Sequence, residues 1–90
     1  MEKKQVKVQV LPDWFDGEVY MEGANVINPY SGESCYLNNV ELSMYDFIKG
    51  VEMILSSNQD DYNKRLSALF YQGLWWFKDN SPKSYMILLD

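Results

Sequence analysis

The chain predicts a single α+β domain: a small N-terminal antiparallel sheet in residues 1–37, packed on a C-terminal helical hairpin in residues 38–90. Near the N-terminus apolar and polar residues alternate, which is the period of a strand. From residue 38 onward apolar residues recur every three or four positions, which is the period of a helix. Hydrophobic residues make up 47% and aromatic residues 16% of the 90 positions, so the chain is expected to fold rather than stay disordered.

The first predicted strand covers residues 4–11. Val6, Val8 and Val10 are expected on its buried face, with the intervening polar side chains in water. Pro12 ends the strand because proline cannot donate a ladder hydrogen bond. Residues 18–21 predict a second short strand.

A hairpin is predicted next, with arms at residues 24–28 and 34–37. The four residues Pro-Tyr-Ser-Gly at 29–32 suit a tight turn between these arms. The two predicted strands and the two arms of the hairpin are expected to form a small antiparallel meander.

The first helix has a clear start signal at Asn38, a good N-cap residue. Glu41 stands three residues later and can reach back to close a capping box, while Leu37 and Leu42 can pack across the cap. The sequence Ser-Ser-Asn at 56–58 is expected to end the helix. Its predicted apolar face consists of Val40, Met44, Phe47, Ile48, Val51, Ile54 and Leu55.

The second helix is predicted to begin at Asn58, with Asp60 and Asp61 complementing the helix dipole, and to run to about Lys78. A loop of about three residues would make the two helices antiparallel. Gly73 on the buried face would let another backbone approach closely. The predicted apolar face consists of Tyr62, Leu66, Leu69, Phe70, Gly73, Trp76 and Phe77.

The C-terminal segment at residues 82–90 is compatible with either a short helix or a strand. Ser81 as N-cap and Pro82 at the first helical position favour the helix.

The net charge of −5, from 13 acidic and eight basic residues, is opposite to the usual bias of nucleic-acid-binding proteins. No direct nucleic-acid partner is therefore expected. No apolar run approaches the roughly 18 residues that a membrane span needs, and no signal-peptide pattern is present. The single Cys35 cannot form an internal disulfide, which fits a reducing compartment.

The chain has no histidine, which removes the commonest general base and the commonest metal ligand. One cysteine without histidine cannot form a zinc site of the usual kind or a Cys–His nucleophile pair. The five glycines match no phosphate loop or dinucleotide fingerprint. We therefore expect no catalytic residues, no metal and no cofactor.

Two acidic groupings are candidate sites. Asp13, Asp16 and Glu18 could hold a hard cation, but their spacing does not match a calcium loop, and acidic turn residues explain them better. The second grouping would line a pocket with paired carboxylates, although its first member already has a capping role. It consists of Glu41, Tyr45 and Glu52.

Lys3, Lys4 and Lys7 form a small basic patch on the first predicted strand. Lysines that protect an edge strand from aggregation explain this patch better than a phosphate site does.

Four apolar side chains are predicted to lie away from the core. Tyr71 and Trp75 are opposite the buried face of the second helix, and Leu42 and Met53 are opposite that of the first. Either the sheet and the C-terminal segment cover them, or they contact a partner. We predict that they form an interaction surface, used most simply for a two-fold homodimer.

Several motifs resemble small uncharacterised proteins encoded by tailed bacteriophages, in which a proline–glycine turn precedes a helix with a tyrosine–aspartate pair. The resemblance covers residues 28–90 and implies a phage or prophage setting in the cytoplasm of the host cell, without attaching any activity. The motifs are Asn28-Pro29-Tyr30-Ser31-Gly32-Glu33, Leu37, the run from Val40 to Gly50, Trp76-Phe77-Lys78 and Asn80-Ser81-Pro82-Lys83.

The function expected from these observations is that of a non-enzymatic phage accessory protein that binds another protein and modulates a host or phage function. The alternative is a structural component of a virion or replication assembly. A small-ligand binding module is a third, weaker hypothesis.

Overall fold

The computed structural model describes residues 8–57 and 64–90. A two-stranded antiparallel sheet precedes three helices in these ranges, and this arrangement confirms the predicted α+β class. The elements are β1 (Ala24–Ile27), β2 (Ser34–Leu37), α1 (Asn39–Ser57), α2 (Lys64–Asn80) and α3 (Pro82–Leu88).

The predicted hairpin is confirmed. Val26 lies opposite Cys35 in the antiparallel register, and both side chains pack toward the core. The turn is closed by the Asn28 N–H, which donates to the Glu33 carbonyl at 2.7 Å. Gly32 has a φ of +82°, a left-handed conformation that favours glycine over residues with a Cβ.

The predicted strands at residues 4–11 and 18–21 are wrong within the described residues, because neither 8–11 nor 18–21 pairs with a strand. Val8 and Val10 are exposed, whereas Gln9 and Leu11 turn inward. The side chains of residues 8–11 therefore do alternate between solvent and the protein, but the valines that were predicted to be buried are on the solvent side. Residues 4–7 lie outside the described residues.

Side-chain hydrogen bonds across the ends of the helices hold residues 8–11 in place of a sheet partner. Gln9 Nε2 donates to Glu41 Oε2 at 2.9 Å and to the Asn80 carbonyl at 3.1 Å. Trp76 Nε1 donates to the Val10 carbonyl at 3.0 Å. The segment thus bridges the start of α1 and the end of α2.

The capping box at the start of α1 is confirmed. The Glu41 N–H donates to Asn38 Oδ1 at 2.8 Å, and the Asn38 N–H donates to Glu41 Oε1 at 2.9 Å. Two backbone donors that would otherwise lack partners are therefore satisfied. Val51 is the last buried residue of α1, so Ile54, predicted on the core face, is exposed in the turn beyond the core.

The two long helices pack together around a core cluster of five buried residues. Gly73 is buried as predicted, but a side chain rather than a backbone approaches it. A Cβ added there would lie 2.9 Å from Ile48 Cγ1. The predicted second cap at 58–61 and the loop between the helices lie outside the described residues. The core cluster consists of Leu37, Met44, Ile48, Phe77 and Leu88.

The C-terminal segment is helical, as Pro82 at the first helical position predicted. The predicted role of Ser81 is wrong in part, because its side chain makes no capping hydrogen bond. Its backbone carbonyl instead accepts the Tyr85 N–H at 2.9 Å. The helix α3 packs against α2 and β2, and Leu88 completes the core.

Candidate interaction surface

The outer face of α2, defined by Lys64, Tyr71, Trp75 and Lys78, points away from α1. The side chain of Trp75 is 67% exposed and that of Tyr71 is 54% exposed. Successive helical residues differ by about 100° in direction, so Gly73, which contacts α1, places these four residues on the far side of the helix. The two aromatic rings lie one turn apart, since residues four apart are neighbours on a helix.

The adjacent Trp76 occupies a different environment. It is half-buried, packs against the core cluster, and donates its indole N–H to the Val10 carbonyl. One step along the sequence therefore separates a packing tryptophan from an exposed one.

The helix α3 lies beside the outer face of α2 without covering Trp75. Lys78 Nζ lies 5.7 Å from the centroid of the Tyr85 ring, a cation–π geometry that joins the two helices. Met86, next along α3, is exposed and extends the apolar area beyond α2. These residues line one shallow depression, in which the acidic Asp90 accompanies Lys78: Lys78, Pro82, Tyr85, Met86 and Asp90.

The other two predicted interaction residues do not join this face. Met53 is exposed on α1, which packs on the opposite, buried side of α2. Leu42 is half-buried and packs against the core cluster, so the prediction that it is a surface residue is wrong. The loop around Tyr20 is held on α1 at the next residue, where the Tyr20 N–H donates to Ser43 Oγ at 2.9 Å.

A cavity of about 210 Å³ lies between the hairpin turn, α1, α2 and the end of α3. Its charged groups include Lys49 and Glu52, whose side chains pair at 2.9 Å. The hydrogen bond that Lys49 donates to Glu52 raises the pKa of Lys49, and partial burial opposes this rise. Tyr30 is exposed at its rim. The apolar part of the lining comes from Ile48, Phe70, Leu74, Leu88 and Leu89.

The predicted carboxylate pair is not assembled. Glu41 is buried in the capping box, where it also accepts a hydrogen bond from Gln9, whereas Glu52 is exposed and pairs with Lys49. The third member of the grouping, Tyr45, packs its ring against Phe77 with centroids 6.4 Å apart. These three side chains therefore do not line a common pocket.

The acidic grouping in residues 13–18 does not form a metal site. Within residues 8–57 and 64–90, no group of three acidic, cysteine or histidine side chains could hold a metal ion, and this includes Asp13, Asp16 and Glu18. The predicted basic patch of Lys3, Lys4 and Lys7 lies outside the described residues. No helix in the described ranges is both long enough and apolar enough to cross a membrane.

Two residues that hold the loops against the helices, Gln9 and Tyr20, were not predicted from the sequence. Gln9 organises the helix ends, but a glutamine in an alternating segment is typical of the wet face, so no local signal indicated its burial. Tyr20 anchors its loop by donating its hydroxyl to Asp46 Oδ2 at 3.0 Å. This hydrogen bond is the main reason why the pKa of Tyr20 is raised.

No protein-family model, curated protein or solved structure matches this chain. The interpretation of its surfaces therefore depends on its own residues and their geometry.

Proposed function

We propose that this protein is a non-enzymatic interaction protein whose contact surface is the outer face of α2. The observation that carries the proposal is the exposure of Trp75 and Tyr71 one turn apart on a helix whose other side is in the core. Tryptophan and tyrosine are enriched among the residues that dominate binding energy at protein interfaces. Exposing both costs the free chain hydrophobic stabilisation that a partner would restore.

The setting that we propose is a phage or prophage one, in the host cytoplasm, where the protein modulates a host or phage protein. The support for this setting is the resemblance in residues 28–90. The tyrosine–aspartate pair of that resemblance is Tyr45 and Asp46, and Asp46 holds Tyr20 on α1. The pair therefore has a structural role that fits a binding protein without catalysis.

A role as a small-ligand module has weaker support. The cavity of about 210 Å³ is below the range of about 300–1,000 Å³ that is typical of ligand pockets, and the adjoining depression of about 520 Å³, which shares Tyr30, Lys49 and Glu52, is more open to solvent. Lys49 and Glu52 at its edge already satisfy each other.

The second candidate function is a structural subunit of a virion or replication assembly. The observation that favours it is exposed apolar area on more than one element of the fold. Ile27 and Tyr36 are exposed on β1 and β2, well separated in the chain from the outer face of α2. A subunit that tiles with several neighbours needs more than one such surface.

Affinity capture of the full chain from infected host cells, followed by mass spectrometry, tests the proposed function. Trp75→Ala should remove the captured partner, whereas Tyr30→Ala should retain it. Tyr30 is the matched control because it is an even more exposed aromatic residue that lies at the rim of the cavity instead. If Tyr30→Ala abolishes capture and Trp75→Ala does not, the contact surface is the cavity edge and the proposal is wrong.

A further inference from the structure

The charge of the protein is divided between two parts of the fold. Residues 8–57 contain eight carboxylate side chains and one basic residue, Lys49. Residues 64–90 contain four basic residues and only two carboxylates. The net charge of −5 therefore hides a net positive charge on α2 and α3, where Asp79 follows Lys78 and Asp90 lies in the same depression as Lys78. The basic residues of these two helices are Lys64, Arg65, Lys78 and Lys83.

The acidic loop, defined as residues 16–22, is an apolar and negatively charged strip. Its apolar side chains Val19 and Met21 are exposed, Met21 by 89%. They are flanked by carboxylates that are also exposed, at Asp16, Glu18 and Glu22.

Tyr20 fixes the acidic loop on α1. Its N–H donates to Ser43 Oγ, its carbonyl accepts from Asn39 Nδ2 at 3.4 Å, and its hydroxyl donates to Asp46. The neighbours on either side of Tyr20 are thereby held outward in a defined position, which lowers the entropy cost of docking a partner on them.

The acidic loop and the outer face of α2 are on opposite sides of the protein. On α1, the contacts with α2 are made by Ile48 and Met44, whereas the partners of Tyr20 lie on the other side of the same helix. The outer face of α2 points away from α1 in turn. Consequently the two surfaces cannot pair within one copy of the chain.

The two surfaces are complementary in charge and in apolar character. Lys64 and Lys78 stand 14 residues apart on one helix, about 21 Å along its axis, and they bracket two exposed aromatic rings. The carboxylates of the acidic loop bracket two exposed apolar side chains. If the loop docks along this face, its carboxylates approach the lysines and its apolar side chains approach the aromatic rings.

We infer that a second copy of this chain is the occupant of the outer face of α2, and that it docks through its acidic loop. This inference rests on the proposed role of that face. The contact is head-to-tail, so two joined copies leave one acidic loop free at one end and one basic face free at the other, and the assembly grows into a ring or an open chain. The two-fold dimer predicted from the sequence is disfavoured, because it would bring the lysines of both copies together.

Variants that reverse the charge of one surface at a time test the inference on the full chain. Their association is measured by sedimentation velocity over a micromolar concentration series. The first variant, Lys64→Glu with Lys78→Glu, should associate at least tenfold more weakly than the parent. The second variant, Glu18→Lys with Glu22→Lys, should lose association to the same degree. An equimolar mixture of the two should associate again, because the reversed loop of one fits the reversed face of the other.

Glu33→Lys is the matched control, since it changes an exposed carboxylate outside the acidic loop and should associate as the parent does. Thermal melts of every variant establish that each is folded at the temperature of measurement. Added salt should weaken the association of the parent, because the charged groups at the contact are screened.

Three other outcomes would overturn the head-to-tail contact, and one of them would also overturn the proposed α2 contact. If the loop variant associates as the parent does while Trp75→Ala does not, the head-to-tail contact is wrong and the proposed function of the α2 face stands. A parent that is monomeric throughout the series also overturns the head-to-tail contact and leaves the α2 face to be judged by capture of a foreign partner. If the parent associates and neither the charge variants nor Trp75→Ala alter it, both the inference and the proposed α2 contact are wrong.

Discussion

Gln9 connects three parts of the chain through one amide. It donates to Glu41 and to the Asn80 carbonyl, and its Oε1 accepts from Asn38 Nδ2 at 2.8 Å. These partners lie at the start of α1 and the end of α2. Because Glu41 is buried, its carboxylate depends on the Gln9 amide and the Asn38 N–H as hydrogen-bond donors in place of water.

Asn38→Ala should lower the free energy of unfolding by about 0.5–2 kcal/mol, the usual loss for an N-cap side chain. The upper part of this range is expected because the same side chain also donates to Gln9. Chemical denaturation measures the change. Asn25→Ala is the control, since Asn25 is exposed on β1, and it should leave the midpoint nearly unchanged. An unchanged midpoint for Asn38→Ala would mean that the cap contributes nothing.

The pKa of Tyr20 should lie above the ordinary tyrosine value of about 10, because the hydrogen bond to Asp46 favours the protonated phenol. A raised folded-state pKa means that this stabilisation is present below pH 10 and is lost as the pH rises through the folded-state value. Subtracting the ultraviolet titration of Tyr20→Phe from that of the parent isolates the group. A difference curve centred at or below pH 10 would contradict this prediction.

Two glycines in the long helices should respond to alanine in opposite directions. At Gly50 nothing lies within 4 Å of an added Cβ, so Gly50→Ala should stabilise by about 0.5–1 kcal/mol through helix propensity. At Gly73 the added Cβ would meet Ile48 Cγ1 at 2.9 Å, so Gly73→Ala should destabilise by about 1–3 kcal/mol. Thermal or urea unfolding compares them, and the same sign for both would contradict the packing of α1 on α2.

Replacing each of the two adjacent tryptophans of α2 by alanine should also have different effects on stability. Trp76→Ala removes a side chain packed on the core and its hydrogen bond to Val10, and should cost about 2–4 kcal/mol. Trp75→Ala should change stability by less than about 0.5 kcal/mol, as expected of an exposed position. Thermal melts measure both effects. Equal destabilisation would mean that Trp75 is a packing residue after all.

At the scale of the whole molecule, opposed acidic and basic surfaces determine how assemblies should grow. A head-to-tail contact predicts that the mean mass measured by light scattering rises beyond that of a dimer as concentration increases. In an open chain the mass keeps rising, whereas in a ring it levels off at one value. A mass that stops at two copies would instead support the two-fold dimer.

The sequence by itself determined the parts of the fold that depend on near neighbours. The hairpin turn, the Asn38–Glu41 capping box and the helix that starts at Pro82 each involve residues a few positions apart. Helical periodicity likewise separated Trp75 from Trp76, because the direction of each side chain follows from its place on the helix.

Only the tertiary structure decided the features that depend on distant residues. Residues 8–11 turn Gln9 inward because its partners, 32 and 71 positions away, are at the helix ends. The loop around Tyr20 likewise lies on α1 because its partners there, Ser43 and Asp46, are 23 and 26 positions away. The charges of the two halves can be read in the sequence, but their placement on opposite sides depends on how α1 and α2 pack. Such contacts leave no local pattern, because the chain brings them together only when it folds.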